Sequence, residues 1–479
     1  MLLLASRILE HELSDESRLG LLGKLRERDF APLIRSMRLK FYEQMLSDKN
    51  QVEEMERVVA ALINSEQQGE YVQGDLFFFA DHLLFLLFGA TGYGSKGMRA
   101  GVVYEPQTPE PLRKLNSFCQ TITLCLANAD GQADESQETG ETRMTMWRQD
   151  PSSVHRGFMR FVAMQDPDSL STIACRENSR ERVRAAKMLE DDYARLFLRR
   201  AREAYREGYS VNPAVNETAT PSEFTVNRLL ETGLLRQELL VSCRKTGHTL
   251  FNLPSADALA VVTISHATCS ICGAKIADEK IEEVLMPTQL SFVLLEDAAW
   301  LVNRLHTIFR ELGISESEIA IEPPAGDGEA RLMARVCGES FLVVMRDGDL
   351  TPAFARRAVN IKIEMEARHL VVVVTGAIHN EGRMRLLQFA KELERGGNDF
   401  EMIIAEGVVA AEAELGRAFE RVSQRALTEQ FCELDSSLGL NVAHFIKTRF
   451  QMLRDAGGTD HPALLPAPAE HVPPTRLLN

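Results

Sequence analysis

The chain has 479 residues, an ordinary hydrophobic fraction of 45%, 26% charged residues and a net charge of −15. That length suits two to four domains, and the acidic total excludes a general polyanion coat, because its long-range field repels phosphate and leaves only a local basic groove for nucleic acid. Eight cysteines at low density, behind a short apolar start (Met1-Leu2-Leu3-Leu4-Ala5) with no basic region, are expected to be reduced thiols of a cytoplasmic protein, so a close pair reads as metal or redox chemistry.

Residues 1–127 are predicted to be a helical domain. Met55, Val58, Val59, Leu62 and Ile63 recur at helical spacing. The run from Leu76 to Ala90 is apolar nearly all round and carries Asp81 and His82; it falls short of the ~20 residues a bilayer needs, so it is predicted to be a buried helix and not a membrane span. Gly89-Ala-Thr-Gly92-Tyr-Gly94-Ser95-Lys96 mimics a phosphate loop, but places Ser before Lys and does not follow an expected strand, so it reads as a turn. Residues 128–150 have the composition of an acidic linker or long loop.

The segment 151–222 is predicted to be helical, with a long helix over Arg180 to Glu207. Residues 176–206 hold nine Arg and one Lys against six acids, a local balance of +4 in an acidic chain. Arg195, Arg199, Arg202 and Arg206 follow one another along one side. Two readings stay open: a solvated face with intrahelical ion pairs, or a contact to phosphate or an acidic partner.

Residues 223–288 combine a small winged-helix-like pattern, a helix from Glu223 and a strand over Glu238 to Ser242, with a cysteine constellation. Cys243-Arg-Lys-Thr-Gly-His248 ends the strand, and Cys269-Ser-Ile-Cys272-Gly273 follows. Cys-x2-Cys-Gly is a tight knuckle that points two thiolates at one ion. With Cys243 and His248 it forms a four-ligand set suited to a closed structural Zn²⁺ site in a ribbon of strands. His266 competes with His248 for the imidazole position, and an unmetallated or redox thiol pair is the alternative. No internal repeat stands out.

Residues 289–454 read as an α/β domain with a terminal helix. A helix over Ser291 to Leu312 is followed by strands at Ile319 to Glu322, Ala330 to Val336 and Ser340 to Met345, a helix at Thr351 to Glu366 with Pro352 in its first turn, and a strand at His369 to Thr375. A helix at Glu381 to Glu394, a strand at Phe400 to Ala405 and a final helix from Val408 complete it. Residues 455–479, rich in Gly and Pro, are expected to be a disordered tail.

The fold class expected is thus multidomain α and α/β: a helical N-terminal half, a small zinc-ribbon-like β element and a C-terminal α-β-β-β-α-β-α-β unit. That last order, with Asp327 in the turn before the second strand and a charged end to the third, resembles the restriction-endonuclease-like PD-(D/E)XK superfamily over about 120 residues. The resemblance implies a carboxylate near the second strand, here Asp327 or Glu329, a Glu on the third, and a Lys two residues later, together holding Mg²⁺ and a water. The Glu position aligns with Val344 and the Lys position with Arg346. Valine binds no hard cation, so the domain is expected to be a pseudo-nuclease in which Arg346 still meets phosphate or a partner. No catalytic residue is assigned.

The function expected from this is a non-catalytic, nucleic-acid-linked adaptor in a bacterial DNA-processing or antiviral defence complex, with protein partners. Two alternatives remain: an active nuclease whose carboxylate has migrated to Asp347, Asp349 or Glu364, and a protein–protein scaffold with no nucleic-acid role, motivated by the acidic total.

Overall fold

The computed structural model describes residues 1–46, 51–66, 71–91, 95–127, 147–149, 155–165, 179–207, 223–322, 328–396, 400–438 and 441–457. In chain order the N-terminal part holds β1 (Leu3–Leu9), α1 (Asp15–Arg26), α2 (Leu33–Met45), α3 (Val52–Glu66), β2 (Gly74–Phe78), β3 (His82–Thr91), β4 (Ser95–Tyr104), α4 (Pro111–Ala127) and β5 (Arg148–Gln149). Next come α5 (Arg156–Ala163), α6 (Ser179–Met188), α7 (Asp192–Arg206) and α8 (Glu223–Glu231), then β6 (Leu235–Ser242), β7 (Thr249–Leu253), α9 (Ala256–Ile264) and β8 (Lys280–Pro287). The C-terminal part holds α10 (Gln289–Leu295), α11 (Ala299–Glu311), β9 (Ile319–Ile321), β10 (Glu329–Val336), β11 (Glu339–Arg346), α12 (Pro352–Met365), β12 (His369–Val374), α13 (Asn380–Arg395), β13 (Glu401–Glu406), α14 (Gly407–Leu438) and α15 (Val442–Gly457). Among the described residues the chain is therefore mixed helix and sheet, with three sheets.

The N-terminal half is not purely helical. It contains a five-stranded sheet in the order β2-β3-β4-β1-β5, and the expected buried helix over Leu76 to Ala90 is the β2–β3 hairpin. A continuous apolar run satisfies a buried helix and a strand covered on both faces equally well. Here Phe77, Leu84, Leu86 and Phe88 face one cluster with α1 and α4. Leu76, Leu83 and Phe85 face another with α14 and α15. Asp81 marks the turn, where the Phe79 N–H donates to the His82 carbonyl. The phosphate-loop mimic falls on the next hairpin, with Thr91 opposite Ser95. Of the 128–150 linker, Arg148 and Gln149 pair with β1; most of that segment, 208–222 and 458–479 lie outside the described residues.

α2 begins at Pro32 without a side-chain cap of its own. Asp75 on β2 supplies one across the fold, accepting from the Ile34 N–H at 2.8 Å and the Arg35 N–H at 2.9 Å. The carboxylate satisfies donors that an uncapped helix start leaves open.

Two helices expected to be long are each broken. The first is divided into α6 and α7, with Asp191 capping α7. The second is divided into α10 and α11 by Asp297 and Ala298, both at positive φ.

The C-terminal sheet has the order β13-β12-β11-β10-β9. β9, β10 and β11 form an antiparallel meander, and β12 and β13 add in parallel. Phe341, Val343, Met345, Val371 and Val373 pack against α11 and α14 on one face. Leu342, Val344, Leu370, Val372 and Val374 pack against α12 and α13 on the other. Burial of both faces accounts for the unbroken valine run of β12. Thr351 caps α12 by accepting from the Phe354 N–H, with Pro352 in the first turn. α14 spans the chain's two ends: its first half covers the C-terminal sheet, and Leu427, Phe431 and Leu434 cover the N-terminal one.

Candidate metal centre

β6 is the central strand of a three-stranded antiparallel sheet, β7-β6-β8. Its last ladder pair toward the ribbon tip is Ser242 with Lys280. One step beyond, Cys243 and Glu279 stand opposite each other. Cys269 and Cys272 arrive from the loop after α9. The three Sγ atoms and a Glu279 carboxylate oxygen lie within 4.8 Å of one another, against about 3.8 Å between corners of a tetrahedron with Zn–S bonds of ~2.3 Å. Cys243, Cys269 and Glu279 are buried and Cys272 is half-buried. The four residues can therefore hold a metal ion.

Two tight turns deliver the thiolates. The Cys243 N–H donates to the His248 carbonyl at 2.8 Å and the Gly247 N–H to the Cys243 carbonyl at 2.7 Å. The Cys269 N–H donates to the Ala274 carbonyl at 2.7 Å and the Gly273 N–H to the Cys269 carbonyl at 2.8 Å. Gly247 and Gly273 have φ of 73° and 74°, the left-handed region where a side chain would be strained.

Polar contacts bind the cluster together. The Arg244 N–H donates to Glu279 Oε2 at 2.5 Å, and Cys272 Sγ donates to Glu279 Oε1 at 2.9 Å. The backbone donor at Arg244 holds the Glu279 carboxyl below its usual range. Hydrogen bonding to that carboxylate pushes the Cys272 thiol up to about 12. A hydrogen bond from the Thr246 hydroxyl brings the Cys243 thiol down to about 7. A bound cation would displace the protons these groups share.

The expected imidazole is not in the cluster. His248 is exposed, and what it contributes is its backbone carbonyl. His266 is also exposed, at positive φ. Glu279 stands in the group instead. It sits in an acidic stretch seven residues after Cys272, and nothing in its spacing marks it; only the β6–β8 register sets it opposite Cys243.

The arginine face divides. Arg195, only 7% exposed, turns inward: it stacks over Trp300 and approaches Asp347 Oδ1 at 3.5 Å. Arg199 pairs with Asp347 Oδ2 at 2.5 Å. Trp300 Nε1 and the Thr375 hydroxyl donate to the same carboxylate at 2.9 and 2.7 Å. Arg202 is half-buried and its pKa is lowered by burial, while Arg206 is exposed. The first two arginines thus lock α7 onto the end of β11, in contrast to a free phosphate-binding row.

The other face of that edge has a similar arrangement. Glu329 is opposite Arg346 in the β10–β11 register, and its side chain is 0% exposed. Arg357 donates to it at 3.1 Å through Nε, and Arg346 lies 3.6 Å away. Val344 is fully buried in an apolar cluster. Asp349 accepts from the Ala377 N–H at 2.8 Å and contacts His379. Glu364, exposed on α12, pairs with Arg160 at 2.8 Å. Asp327 lies outside the described residues.

No family model, curated protein or solved structure matches this chain. Among the described residues, no helix is long and apolar enough to cross a membrane.

Proposed function

We propose that this chain is a non-catalytic, nucleic-acid-linked subunit of a bacterial DNA-processing or defence assembly, with Zn²⁺ as a structural staple in the ribbon. The observation that carries the reading is the state of the carboxylates at the end of β11. Glu329 is held by Arg357 and Arg346, and Asp347 by Arg195 and Arg199. Guanidiniums already pair with carboxylates that a hydrolytic Mg²⁺ would need as ligands, and Val344 offers it none. Each of these arginines is matched by a carboxylate, so any phosphate contact would fall to the more exposed members, Arg199, Arg346 and Arg357, or to Arg206 farther along α7. The element order of the C-terminal part, with a meander followed by parallel strands, supports the restriction-endonuclease-like resemblance, but fold alone would not supply activity.

Zinc is favoured over harder ions because three of the four donors are thiolates. A staple is favoured over catalysis because four protein ligands leave no open position. The ribbon's fully buried apolar set is small, Val241, Cys243, Cys269 and Ile276, and half of that set would be ligands; the apolar residues around it are only half-buried.

Purified protein incubated with Mg²⁺ or Mn²⁺ and with single-stranded DNA, double-stranded DNA and RNA should cut none of them, and a gel shift should weaken between low and moderate salt. Cleavage lost in Glu329→Gln or Asp349→Asn would overturn the reading in favour of a working nuclease. Absence of any shift at low salt would favour the scaffold reading. That reading draws on the exposed apolar stripe of α2, formed by Met37, Phe41 and Met45.

A further inference from the structure

The two turns at the ribbon tip are the same turn twice. In each, a cysteine N–H donates to the carbonyl five residues on, and a left-handed glycine four residues on donates back to that cysteine's carbonyl. Superposing them by residue pairs Cys243 with Cys269, Thr246 with Cys272 and Gly247 with Gly273. The chain therefore repeats Cys-x2-Thr-Gly and Cys-x2-Cys-Gly, a duplication that the cysteine pattern alone conceals. In the second turn the third residue after the first cysteine is a thiolate donor. In the first, that place belongs to a threonine whose hydroxyl hydrogen-bonds back to Cys243.

A neutral hydroxyl is a poor ligand for a soft divalent ion. Glu279 lies immediately before β8, with a carboxylate oxygen within 4.8 Å of all three sulfurs. We infer that Thr246 stands in a ligand position whose thiolate is missing, that Glu279 fills it from the turn just before β8, and that the centre is consequently a three-thiolate, one-carboxylate site which exchanges its Zn²⁺ more readily than a four-thiolate ribbon. The physical reason is the nature of the fourth donor. Its oxygen is harder than sulfur, and its carboxylate has a second partner in the Arg244 N–H. It can leave the ion without leaving a buried charge unsatisfied. The assignment rests on the staple reading and specifies how firmly the staple holds.

Co²⁺ substitution separates the possibilities, because thiolate-to-metal charge-transfer absorbance grows with the number of coordinated sulfurs. Full-length protein should bind one Co²⁺ with a three-thiolate intensity. Thr246→Cys should raise that intensity by about one third, as a fourth sulfur enters the tetrahedron, and should slow Zn²⁺ release to a chromophoric chelator. Glu279→Gln should leave the sulfur count unchanged and weaken binding by about 10–100-fold, the scale of a disturbed metal environment. The double variant Thr246→Cys/Glu279→Gln should regain the lost affinity, which a merely misfolded Glu279→Gln protein would not. His248→Ala should change neither spectrum nor release rate. Weakened binding in His248→Ala with none in Glu279→Gln, or equal intensities in Thr246→Cys and the parent, would overturn the assignment while leaving a staple in place. Failure of the parent to bind any Co²⁺ or Zn²⁺ would overturn both.

Discussion

The ribbon tip and the C-terminal sheet stabilise themselves by different means. The sheet buries Leu342, Val343, Val344, Leu370, Val371, Val372 and Val373 completely, with helices on both faces. Its order follows from apolar area removed from water, at ~25 cal/mol per Å². The ribbon tip has only Val241 and Ile276 fully buried beyond its would-be ligands, with a half-buried shell that includes Leu250, Phe251 and, from α9, Leu259 and Val262, and α9 has no fully buried residue. An element with so little core depends on an ion or a covalent link to offset its chain entropy. Cys119, by contrast, sits in a dense apolar cluster as a packing residue, its thiol pushed up to about 12 by burial.

The largest expected effect tests that contrast directly. Removing the metal with a chelator, or replacing Cys269 with Ser, should abolish protection of the ribbon, since structural zinc binding is worth on the order of 10 kcal/mol in small sites. Hydrogen exchange should show β7, α9 and the Cys269–Glu279 loop opening while β11 and β12 keep their protection. Simultaneous loss in both regions would mean that the ribbon is not a separate cooperative unit.

A smaller effect is expected where a polar clamp joins the sheet to the helices. Asp347→Ala takes one carboxylate from Arg195, which keeps Asp192 and the Leu189 carbonyl, and strips Trp300 and Thr375 of their acceptor, so the loss should fall at the low end of the about 3–5 kcal/mol of a broken buried pair. Chemical denaturation should register it, and proteolysis should begin near α7. A change of midpoint close to zero would return the arginine face to the solvated-row reading.

The smallest concerns Asp75, beneath α2. Burial pushes its carboxyl up to about 6, outweighing the donors of Arg35 and Ile34. A folded-state pKa above the unfolded value means that the folded chain takes up a proton first. The stability linked to this group is therefore full below about pH 4 and declines as pH rises through about 6, by up to ~3 kcal/mol. Denaturation midpoints of the parent and of Asp75→Asn, compared from pH 4 to 7, should differ in slope in that sense. Parallel profiles would show that the capping hydrogen bonds keep the carboxylate charged throughout.

The C-terminal elements were legible because each carries a local signal. Pro352 and Thr351 start α12, the glycine-flanked turns separate the strands, and the valines of β12 have no helical competitor of that length. Leu76 to Ala90 misled because a strand covered on both faces and a buried helix are equally apolar; only the pairing of β2 with β3 and the helices on either side distinguish them. The breaks between α6 and α7 and between α10 and α11 were illegible for a similar reason, since helical spacing continues across each.

Cys243, Cys269 and Cys272 could be grouped from the sequence because thiolate donors in tight glycine turns follow local rules of spacing. The fourth member could not. His248 has the right chemistry and sits next to the turn, but the turn uses its carbonyl and leaves the ring in solvent. Glu279 and Thr246 acquire their significance from strand register and from the repetition of a turn, which are relations between residues far apart in the chain. The arginines of α7 followed the same division. Their charge and helical spacing were written locally, whereas the buried Asp347 that claims Arg195 and Arg199 comes from a strand about 150 residues away, brought there by the packing of α7 and α11 over the sheet. Local composition determines which chemistry a segment can offer; only tertiary packing decides which partner it meets, because the free energy of an ion pair or a ligand set depends on distance and burial that no single segment contains.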